Sequence, residues 1–478
     1  MFKEGMKKRE NTFWLHFLMG PVLMLLCILL IPEKAFPTFS SRAAIGTVAW
    51  VSYWWITGPV DYAVTGFIPI AVNALFSIVE MNTVISQYAS ETILLLLGAS
   101  ILAVSWDVTG LDKRIAVMFL GLLGTSLVAH IVFWFMLSTL LSTILPNAVV
   151  CATITPIAVS MLKYVGIKNI SEHESGSLIL MTIAWGAGMG GLATPLGGAM
   201  NLVVVDYIQE LTGAEYMYVD WVVKFLPIML LLIVSNLAYL LVIKTRGVKF
   251  EGSKEYFKQM KSEIGKISKQ EIICLTLFVV ATVLSFAREF YASVLPNLKP
   301  AYAFIICAVL SFIVKDNNGE KLMKWKQVET KIVWSLMYVF AGGLAVGKLI
   351  TGSGADKFIG DLISNMGLSG NFVTVLIIVT VTIVLSDITS NTATAAVAIP
   401  IVISIIKGIG LNPIPYVFIA TIGVNLSYTL PTSVRSVPVG YGMKPSFMFK
   451  KGLALTLIVI VLVTTLSCGL MEIGWFDL

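Results

Sequence analysis

A cluster of polar side chains interrupts one of the most apolar parts of this sequence. Residues 386–400 are SDITSNTATAAVAIP, and seven of the first nine carry a hydroxyl, an amide or a carboxylate. Polar side chains within a lipid-spanning segment cost free energy, and they are retained mainly where they serve a function. Hydroxyl and amide groups can donate hydrogen bonds to an anion, and their oxygens can coordinate a small cation. The cluster therefore predicts one lobe of a binding site.

The cluster has a partner 244 residues earlier in the chain. Residues 142–166, STILPNAVVCATITPIAVSMLKYVG, align without a gap on 386–410, SDITSNTATAAVAIPIVISIIKGIG. Nine of the 25 positions are identical: Ser142/Ser386, Ile144/Ile388, Asn147/Asn391, Ala152/Ala396, Pro156/Pro400, Ile157/Ile401, Ser160/Ser404, Lys163/Lys407 and Gly166/Gly410. Asn, Pro and Lys are unusual in lipid, so the match indicates an internal repeat.

A second interrupted segment follows each copy. GAGMGGLATPLGGAMN (186–201) contains Thr194 and Pro195, and GVNLSYTLPTSVRSVPVG (423–440) contains Pro431 at the matching place. Pro and Gly within a spanning helix leave backbone groups unpaired, which is tolerated only where the backbone lines a cavity or binds a ligand. The broken elements of both copies can meet and present helix N-termini to an anion.

Composition places these segments in a membrane. The chain has 478 residues, of which 57% are hydrophobic and 13% charged. A soluble protein could not cover that much apolar surface with so few charges. Four of the five cysteines lie deep in apolar segments, which indicates small core residues rather than a disulfide framework or a metal site, and no metal or cofactor is expected. The basic residues flank apolar segments, so the net charge of +6 does not indicate nucleic-acid binding.

The apolar runs predict about eleven transmembrane helices. Two long apolar segments broken in the middle, 127–163 and 371–407, are predicted to form re-entrant hairpins. Segments 111–125 and 353–368 are predicted to lie along the membrane interface. The eleven predicted crossings are 13–31, 43–58, 62–80, 90–106, 177–211, 219–243, 271–291, 301–314, 331–351, 414–445 and 448–469.

The positive-inside rule orients these crossings. Lys7, Lys8 and Arg9 place the N-terminus in the cytoplasm, and the lysine-rich loop 244–271 then falls on the same side. Eleven crossings put the C-terminus outside. Five crossings separate the two repeat copies, and because that number is odd, the copies enter the membrane from opposite faces. Inverted repeats of this kind are typical of secondary transporters.

With these features the chain resembles the divalent anion/sodium symporter family, the INDY-like dicarboxylate and citrate carriers. Ser390–Asn391–Thr392 match the family's Ser-Asn-Thr motif, whereas the first copy has Pro146, Asn147 and Ala148. The resemblance implies an all-α polytopic membrane protein of the elevator type and a homodimer in the lipid bilayer. The implied division is scaffold 1–125 and 271–370, moving transport domain 126–243 and 371–478, and a basic cytoplasmic linker 244–270.

The resemblance also implies the residues of the site. A small dicarboxylate would be held chiefly by Asn147, Ser390, Asn391 and Thr392. Thr194 and Ser433 could bind substrate or only cap broken helices, and Asp387 could help a coupling ion or cap its hairpin. The remaining expected substrate contacts are Pro146, Ala148, Gly197, Gly198, Val434 and Arg435, and the expected supporting residues are Ser142, Pro195, Ser386, Thr389 and Pro431.

The first hairpin tip lacks two motif side chains, and the second half contains a permanent cation, Arg435. Such a cation can replace sodium beside a carboxylate. Because it cannot dissociate, returning the empty site would be costly, and this predicts sodium-independent exchange of succinate, malate, fumarate, 2-oxoglutarate or a related di- or tricarboxylate. The alternative is a sodium-coupled symporter in which Na⁺ binds beside the substrate. An anion channel is the alternative from another class, and the motifs of proteases and esterases are lacking.

Overall fold

The structure of the protein, a computed structural model, describes residues 2–120, 124–243, 247–358 and 369–478. Within these ranges the chain forms helices and no β-strand. The helices of eight or more residues are Phe2–Leu30, Phe39–Thr57, Ile68–Phe76, Glu91–Thr109, Leu111–Leu120, Leu127–Ser142, Asn147–Tyr164, Glu174–Gly190, Ala199–Thr212, Tyr218–Val242, Ser253–Ile264, Lys269–Phe286, Pro300–Ser311, Trp334–Gly352, Phe372–Ile388, Asn391–Gly408, Ile414–Asn425 and Pro445–Glu472.

Shorter helical segments connect the long ones. The α-helical ones are Tyr62–Thr65, Met81–Ile85, Arg288–Tyr291, Trp325–Val328 and Ser436–Gly440, and the 3₁₀ ones are Ser86–Ala89, Ile170–Glu172, Gly191–Ala193 and Ser433–Arg435.

Nine helices of the described residues are long and apolar enough to cross a membrane. Seven of them coincide with predicted crossings, and the other two are the second arms of the predicted hairpins. The prediction of an all-α polytopic membrane protein is confirmed. The nine segments are Phe13–Leu30, Met81–Thr109, Asn147–Tyr164, Glu174–Ala193, Tyr218–Val242, Lys269–Phe286, Trp334–Gly352, Asn391–Gly408 and Pro445–Glu472.

The other four predicted crossings are shorter, less apolar or interrupted. Segment 62–80 is divided because Gly66 ends one short helix and Pro69 occupies the first turn of the next, Ile68–Phe76. Proline is accommodated at such a start because the first N–H groups of a helix have no partner within it. The others are Phe39–Thr57, which contains Arg42 and several serines, Pro300–Ser311 with 12 residues, and Ile414–Asn425, also with 12.

The internal repeat is visible in the helix boundaries. The first hairpin consists of Leu127–Ser142 and Asn147–Tyr164, and the second of Phe372–Ile388 and Asn391–Gly408. Both second arms have 18 residues, begin at the repeat-related asparagine and contain proline, Pro156 or Pro400. The 244-residue offset therefore relates two helices with the same start, length and proline position.

A broken helix packs against the first arm of each hairpin. The first broken helix is Glu174–Gly190 followed by Ala199–Thr212, and the second is Ile414–Asn425 followed by Ser436–Gly440. At Gly190 an added Cβ would collide with the Thr139 carbonyl, and at Gly423 it would collide with the Thr382 side chain. Small residues allow this close approach of helices in membrane proteins.

The interfacial segments are partly described. Segment 111–125 contains the helix Leu111–Leu120, as predicted, whereas most of 353–368 lies outside the described residues. Arg114 is buried and donates to Glu271 (2.5 Å) and to carbonyls that follow the helix Ser253–Ile264. These bonds join the helix Leu111–Leu120 to the end of the predicted linker 244–270.

Candidate functional site

A cavity of about 460 Å³ lies between the two hairpin tips and the helix Glu91–Thr109. The hairpins and the first broken helix form one side, and residues of the predicted scaffold form the other. Six of the predicted substrate contacts line it: Pro146, Asn147, Ala148, Asn391, Thr392 and Ser433. The opposite wall is largely apolar and includes Leu95, Leu96, Ala99, Ala103, Val104 and Leu336.

Both hairpin tips direct a helix N-terminus to this cavity. Asn147 and Asn391 are the first residues of their helices, and both line the cavity. The first N–H groups of a helix lack intrahelical partners and carry partial positive charge. Two such N-termini form an arrangement suited to anionic oxygens.

The second tip is held by its own hydroxyl groups. Ser390 caps its helix by accepting a hydrogen bond from the Ala393 N–H at 3.1 Å, so its side chain serves the backbone. The hydroxyls of Thr389 and Thr394 lie 2.8 Å apart. Thr389 and Ser390 therefore shape the tip, whereas Thr392 lines the cavity.

The Asn391 amide is held only loosely. It is 3% exposed, donates to the Asn425 carbonyl at 3.5 Å and accepts from the Ser427 hydroxyl at 3.3 Å. Both distances are long for hydrogen bonds of their kind. The Asn391 amide can thus exchange these partners for a ligand at little cost.

The first tip is fixed by the break in the first broken helix. The Asn147 N–H donates to the Gly197 carbonyl at 3.2 Å, and the Thr194 hydroxyl donates to the Thr143 carbonyl at 2.6 Å. Thr194 also accepts from the Gly197 N–H at 3.0 Å. A Cβ at Gly197 would collide with the Ser142 carbonyl. Thr194 and Gly197 therefore position the tip, and neither lines the cavity.

Within the described part of the chain, the Asn147 amide has no hydrogen-bond partner, although its residue lines the cavity.

The serines of the two first arms have the same role, since Ser142 donates to the Ala187 carbonyl at 2.7 Å and Ser386 to the Val424 carbonyl at 2.6 Å. They tie each hairpin to its broken helix. Pro195, Gly198, Val434 and Pro431 also lie outside the cavity lining.

Two asparagines connect the broken helices to each other. Asn201 donates to the Gly191 carbonyl at 2.6 Å and the Thr194 carbonyl at 2.8 Å, and it accepts from the Asn425 amide at 2.9 Å. Asn201 and Asn425 are both buried. Neither was predicted as a site residue, although an asparagine next to each helix break is a usable signal in the sequence.

Arg435 lies beside the second break and not on the cavity. It is 3% exposed, and every nitrogen of its guanidinium donates to the protein. The acceptors are Leu430 O (2.8 Å), Ser427 O (3.2 Å), Ser386 O (3.4 Å), Thr432 Oγ1 (2.7 Å) and the Ser427 hydroxyl. The guanidinium thus satisfies carbonyls that the unwound helix leaves free.

Asp387 stands next to this guanidinium. Its Oδ1 lies 3.8 Å from Nη2 of Arg435 and accepts from the N–H groups of Tyr428 and Thr429, each at 2.9 Å. Asp387 and Arg435 form a buried pair that holds the unwound segment 426–432 in place. The Asp387 carboxylate therefore contacts the second broken helix and not its own hairpin, so it supports that helix and does not act as the predicted hairpin cap.

Three charged residues also line the cavity, Asp107, Asp112 and Lys331, and none of them was predicted as a site residue. Lys331 Nζ is 2.5 Å from Asp107 Oδ2, and both residues line the cavity. Asp112 accepts from the Thr153 hydroxyl at 3.2 Å, which joins the predicted scaffold to the first hairpin. Burial raises the pKa of the Asp112 carboxyl, and the nearby charge of Asp107 raises it further.

The fold and the cavity between repeated hairpins define a multi-pass membrane transporter. The family model for citrate transporters matches residues 52–423, and the chain belongs to this family. The chain is also homologous to the sodium-dependent dicarboxylate transporter SdcS of Staphylococcus aureus. It is 27% identical to SdcS of strain USA300 over 458 residues, 92% of this chain and 88% of the relative. For strain MRSA252 the identity is 27% over 456 residues, 92% and 87% of the two chains.

A solved structure has a similar fold. The Alcanivorax borkumensis YdaH transporter, described as having an unusual topology, matches with a TM-score of 0.54 over 85% of this chain and 89% of that chain. The sequence identity is 10%, so this similarity concerns the fold alone. The family match and the homologous dicarboxylate transporters confirm a transporter and not an enzyme.

Proposed function

We propose that this protein exchanges small di- or tricarboxylates across the cytoplasmic membrane without sodium. The observation that supports this most is the cavity at which Asn147, Asn391 and Thr392 meet beside two helix N-termini. Amide and hydroxyl donors together with helix N-termini suit the carboxylates of a substrate. Membership of the citrate transporter family and homology to the dicarboxylate transporter SdcS agree with this substrate class.

Sodium independence is supported by the hydrogen bonds that the carbonyl groups of the broken helices already accept from the protein. A sodium ion would need several oxygen ligands, and unwound backbone in transporters provides them. In the first half the Asn201 amide occupies the carbonyls of Gly191 and Thr194. In the second half the guanidinium of Arg435 occupies those of Ser427 and Leu430. Hydrogen-bond donors of the protein thus occupy the carbonyl oxygens that a sodium ion would need as ligands.

The sequence predicts exchange from the charge of Arg435, and the structure removes that reason. That prediction assumed that Arg435 brings an uncompensated charge to the site, but Asp387 lies 3.8 Å away and neutralises it. Exchange follows instead from the membrane potential. Moving a dianion inward alone against 100 mV costs about 5 kcal/mol, twice the cost of one charge. Without sodium, the outward movement of another dianion offsets this cost.

Sodium-coupled symport is the second candidate function. The homologous SdcS is a sodium-dependent transporter, which favours this function, since the two chains are related over most of their length. In that case sodium would bind beside Asn147 or Asn391 rather than within the carbonyl groups held by Arg435.

Flux into proteoliposomes separates the two functions. Vesicles loaded with succinate should take up labelled succinate equally fast in sodium and in choline, and vesicles without internal substrate should take up little. Labelled malate and citrate should be measured in the same way. Uptake into empty vesicles that requires a sodium gradient would establish the symporter instead.

We also propose an elevator mechanism, in which segments 126–243 and 371–478 move against a homodimeric scaffold formed by 1–125 and 271–370. The location of the cavity between these two parts supports the proposal. The distribution of basic residues supports a cytoplasmic N-terminus and linker 244–270 and an external C-terminus.

Access to the cavity can be tested by cysteine labelling. In a background without the five native cysteines, Ala148→Cys should react with a maleimide and should be protected by succinate or citrate, because Ala148 is exposed and lines the cavity. Ile144→Cys is the matched control, since Ile144 is exposed near the same tip but lines a separate apolar pocket. Equal protection of both positions, or of neither, would contradict this location of the site.

A further inference from the structure

The cavity has an uneven distribution of charge. The lining residues of the two hairpin tips and of the second helix break, Asn147, Asn391, Thr392 and Ser433, are uncharged. Arg435 is buried against backbone carbonyls and does not line it. Among the described residues that line the cavity, Lys331 is the only cation. A dianion in this cavity therefore has one protein side chain that can compensate its charge directly.

We propose that Lys331 captures one carboxylate of the incoming substrate, and that Asp107 competes with the substrate for the ammonium. This inference rests on the proposed carboxylate substrate. The side chains of Lys331 and Asp107 are 47% and 56% exposed, so their ion pair is a weak one in water. The lysine ammonium is a point charge on a flexible stem and can turn from Asp107 toward a carboxylate within the cavity.

The position of Lys331 predicts which kinetic constant it affects. It precedes the helix Trp334–Gly352 of the predicted scaffold, opposite the hairpin tips. A residue on the scaffold does not travel with the substrate in an elevator mechanism. Lys331 therefore acts when the substrate binds and leaves, and its loss should change KM more than the maximal rate.

A purely structural ion pair is the competing explanation. The bond between Lys331 and Asp107 also joins a loop to the end of the helix Glu91–Thr109. If that were its function, removing either partner would have the same effect. If Lys331 captures substrate, the two substitutions have opposite effects, because Lys331→Gln removes the cation whereas Asp107→Asn frees it.

The experiment measures binding and transport of succinate and citrate by the full chain. The Kd is obtained from thermal stabilisation of the purified protein in detergent, where the ligand can reach both faces of the protein. Lys331→Gln should raise the Kd and the KM by roughly tenfold, the scale of one charge-assisted hydrogen bond. Asp107→Asn should lower both, and Lys331→Arg should stay near the wild type.

The matched control is the ion pair between Lys324 and Glu320, 3.5 Å apart on the same loop and outside the cavity lining. Lys324→Gln removes the same charge and should leave both constants unchanged. A shift in the same direction for Lys331→Gln and Asp107→Asn, or no shift for either, would refute capture by Lys331 alone. If neither succinate nor citrate stabilises the wild type, the proposed function itself is refuted, and the inference with it.

Discussion

Arg435→Ala should destabilise the folded protein by about 3–5 kcal/mol, the usual cost of removing one partner from a buried ion pair. The substitution leaves Asp387 charged and unpaired, and it leaves carbonyls such as Leu430 O and Ser427 O without a donor. The measurement is the free energy of unfolding in mixed micelles titrated with SDS. Arg435→Lys should recover only part of the loss, because an ammonium cannot reach all of these acceptors at once.

The same substitution should create a response to sodium. Once the guanidinium is gone, the free carbonyls and the Asp387 carboxylate form a set of oxygen ligands for a small cation. Sodium should raise the melting temperature of Arg435→Ala but not that of the wild type, compared at equal ionic strength with choline. Arg435→Lys is the control, because it keeps a cation beside the Asp387 carboxylate and should therefore show no response to sodium.

A double substitution tests whether the pair explains the destabilisation. Asp387→Asn combined with Arg435→Ala should be less destabilised than Arg435→Ala alone, since it leaves no unpaired charge in the interior. Wild-type stability of Arg435→Ala would show that the guanidinium does not hold the unwound segment. Arg435 would then be available to bind substrate, as predicted from the sequence.

The hairpins could be predicted from the sequence because local signals coincide there. Asn147 and Asn391 each follow a break, occupy the same position of a repeat and precede a proline nine residues later. The break and the proline are read from nearby residues, and the repeat is read by aligning two segments of the same chain. The structure accordingly begins a helix at both asparagines and places both on one cavity.

The partners of Arg435 could not be predicted, because they depend on the path of an unwound segment. The sequence shows a cation near Pro431 but not that residues 426–432 curve around the guanidinium. Sequence reasoning therefore directed Arg435 toward substrate. In the structure its charge is matched by Asp387 and its donors by backbone oxygens.

The charged residues of the cavity, Asp107, Asp112 and Lys331, could not be predicted as site residues for a related reason. Asp107 and Lys331 are 224 residues apart and lie at the ends of elements whose pairing no repeat reveals. Each is an ordinary loop-flanking charge in the sequence. Only the packing of the predicted scaffold places them at the mouth of the cavity, together with Asp112.

The two hairpin asparagines should be required for transport but not for folding. Asn147→Ala and Asn391→Ala should each lower the specificity constant for transport by roughly 10- to 100-fold, the value of one hydrogen bond to a charged ligand. The Asn147 amide has no partner within the described residues, and that of Asn391 has only long contacts. The free energy of unfolding should therefore change by less than about 1 kcal/mol, as for a weak hydrogen bond.

Asn236→Ala is the matched control for these two variants. Asn236 is fully buried outside the cavity and donates to the Leu232 carbonyl at 2.8 Å and to the Tyr428 hydroxyl at 3.2 Å. Its loss should lower the free energy of unfolding by about 1–3 kcal/mol, because it leaves buried groups unpaired, while the KM for succinate stays near the wild-type value. If Asn147→Ala and Asn391→Ala behave like Asn236→Ala, with stability lost and KM retained, the asparagines join helices to each other. The opposite pattern, with KM raised and stability retained, assigns their amides to the substrate.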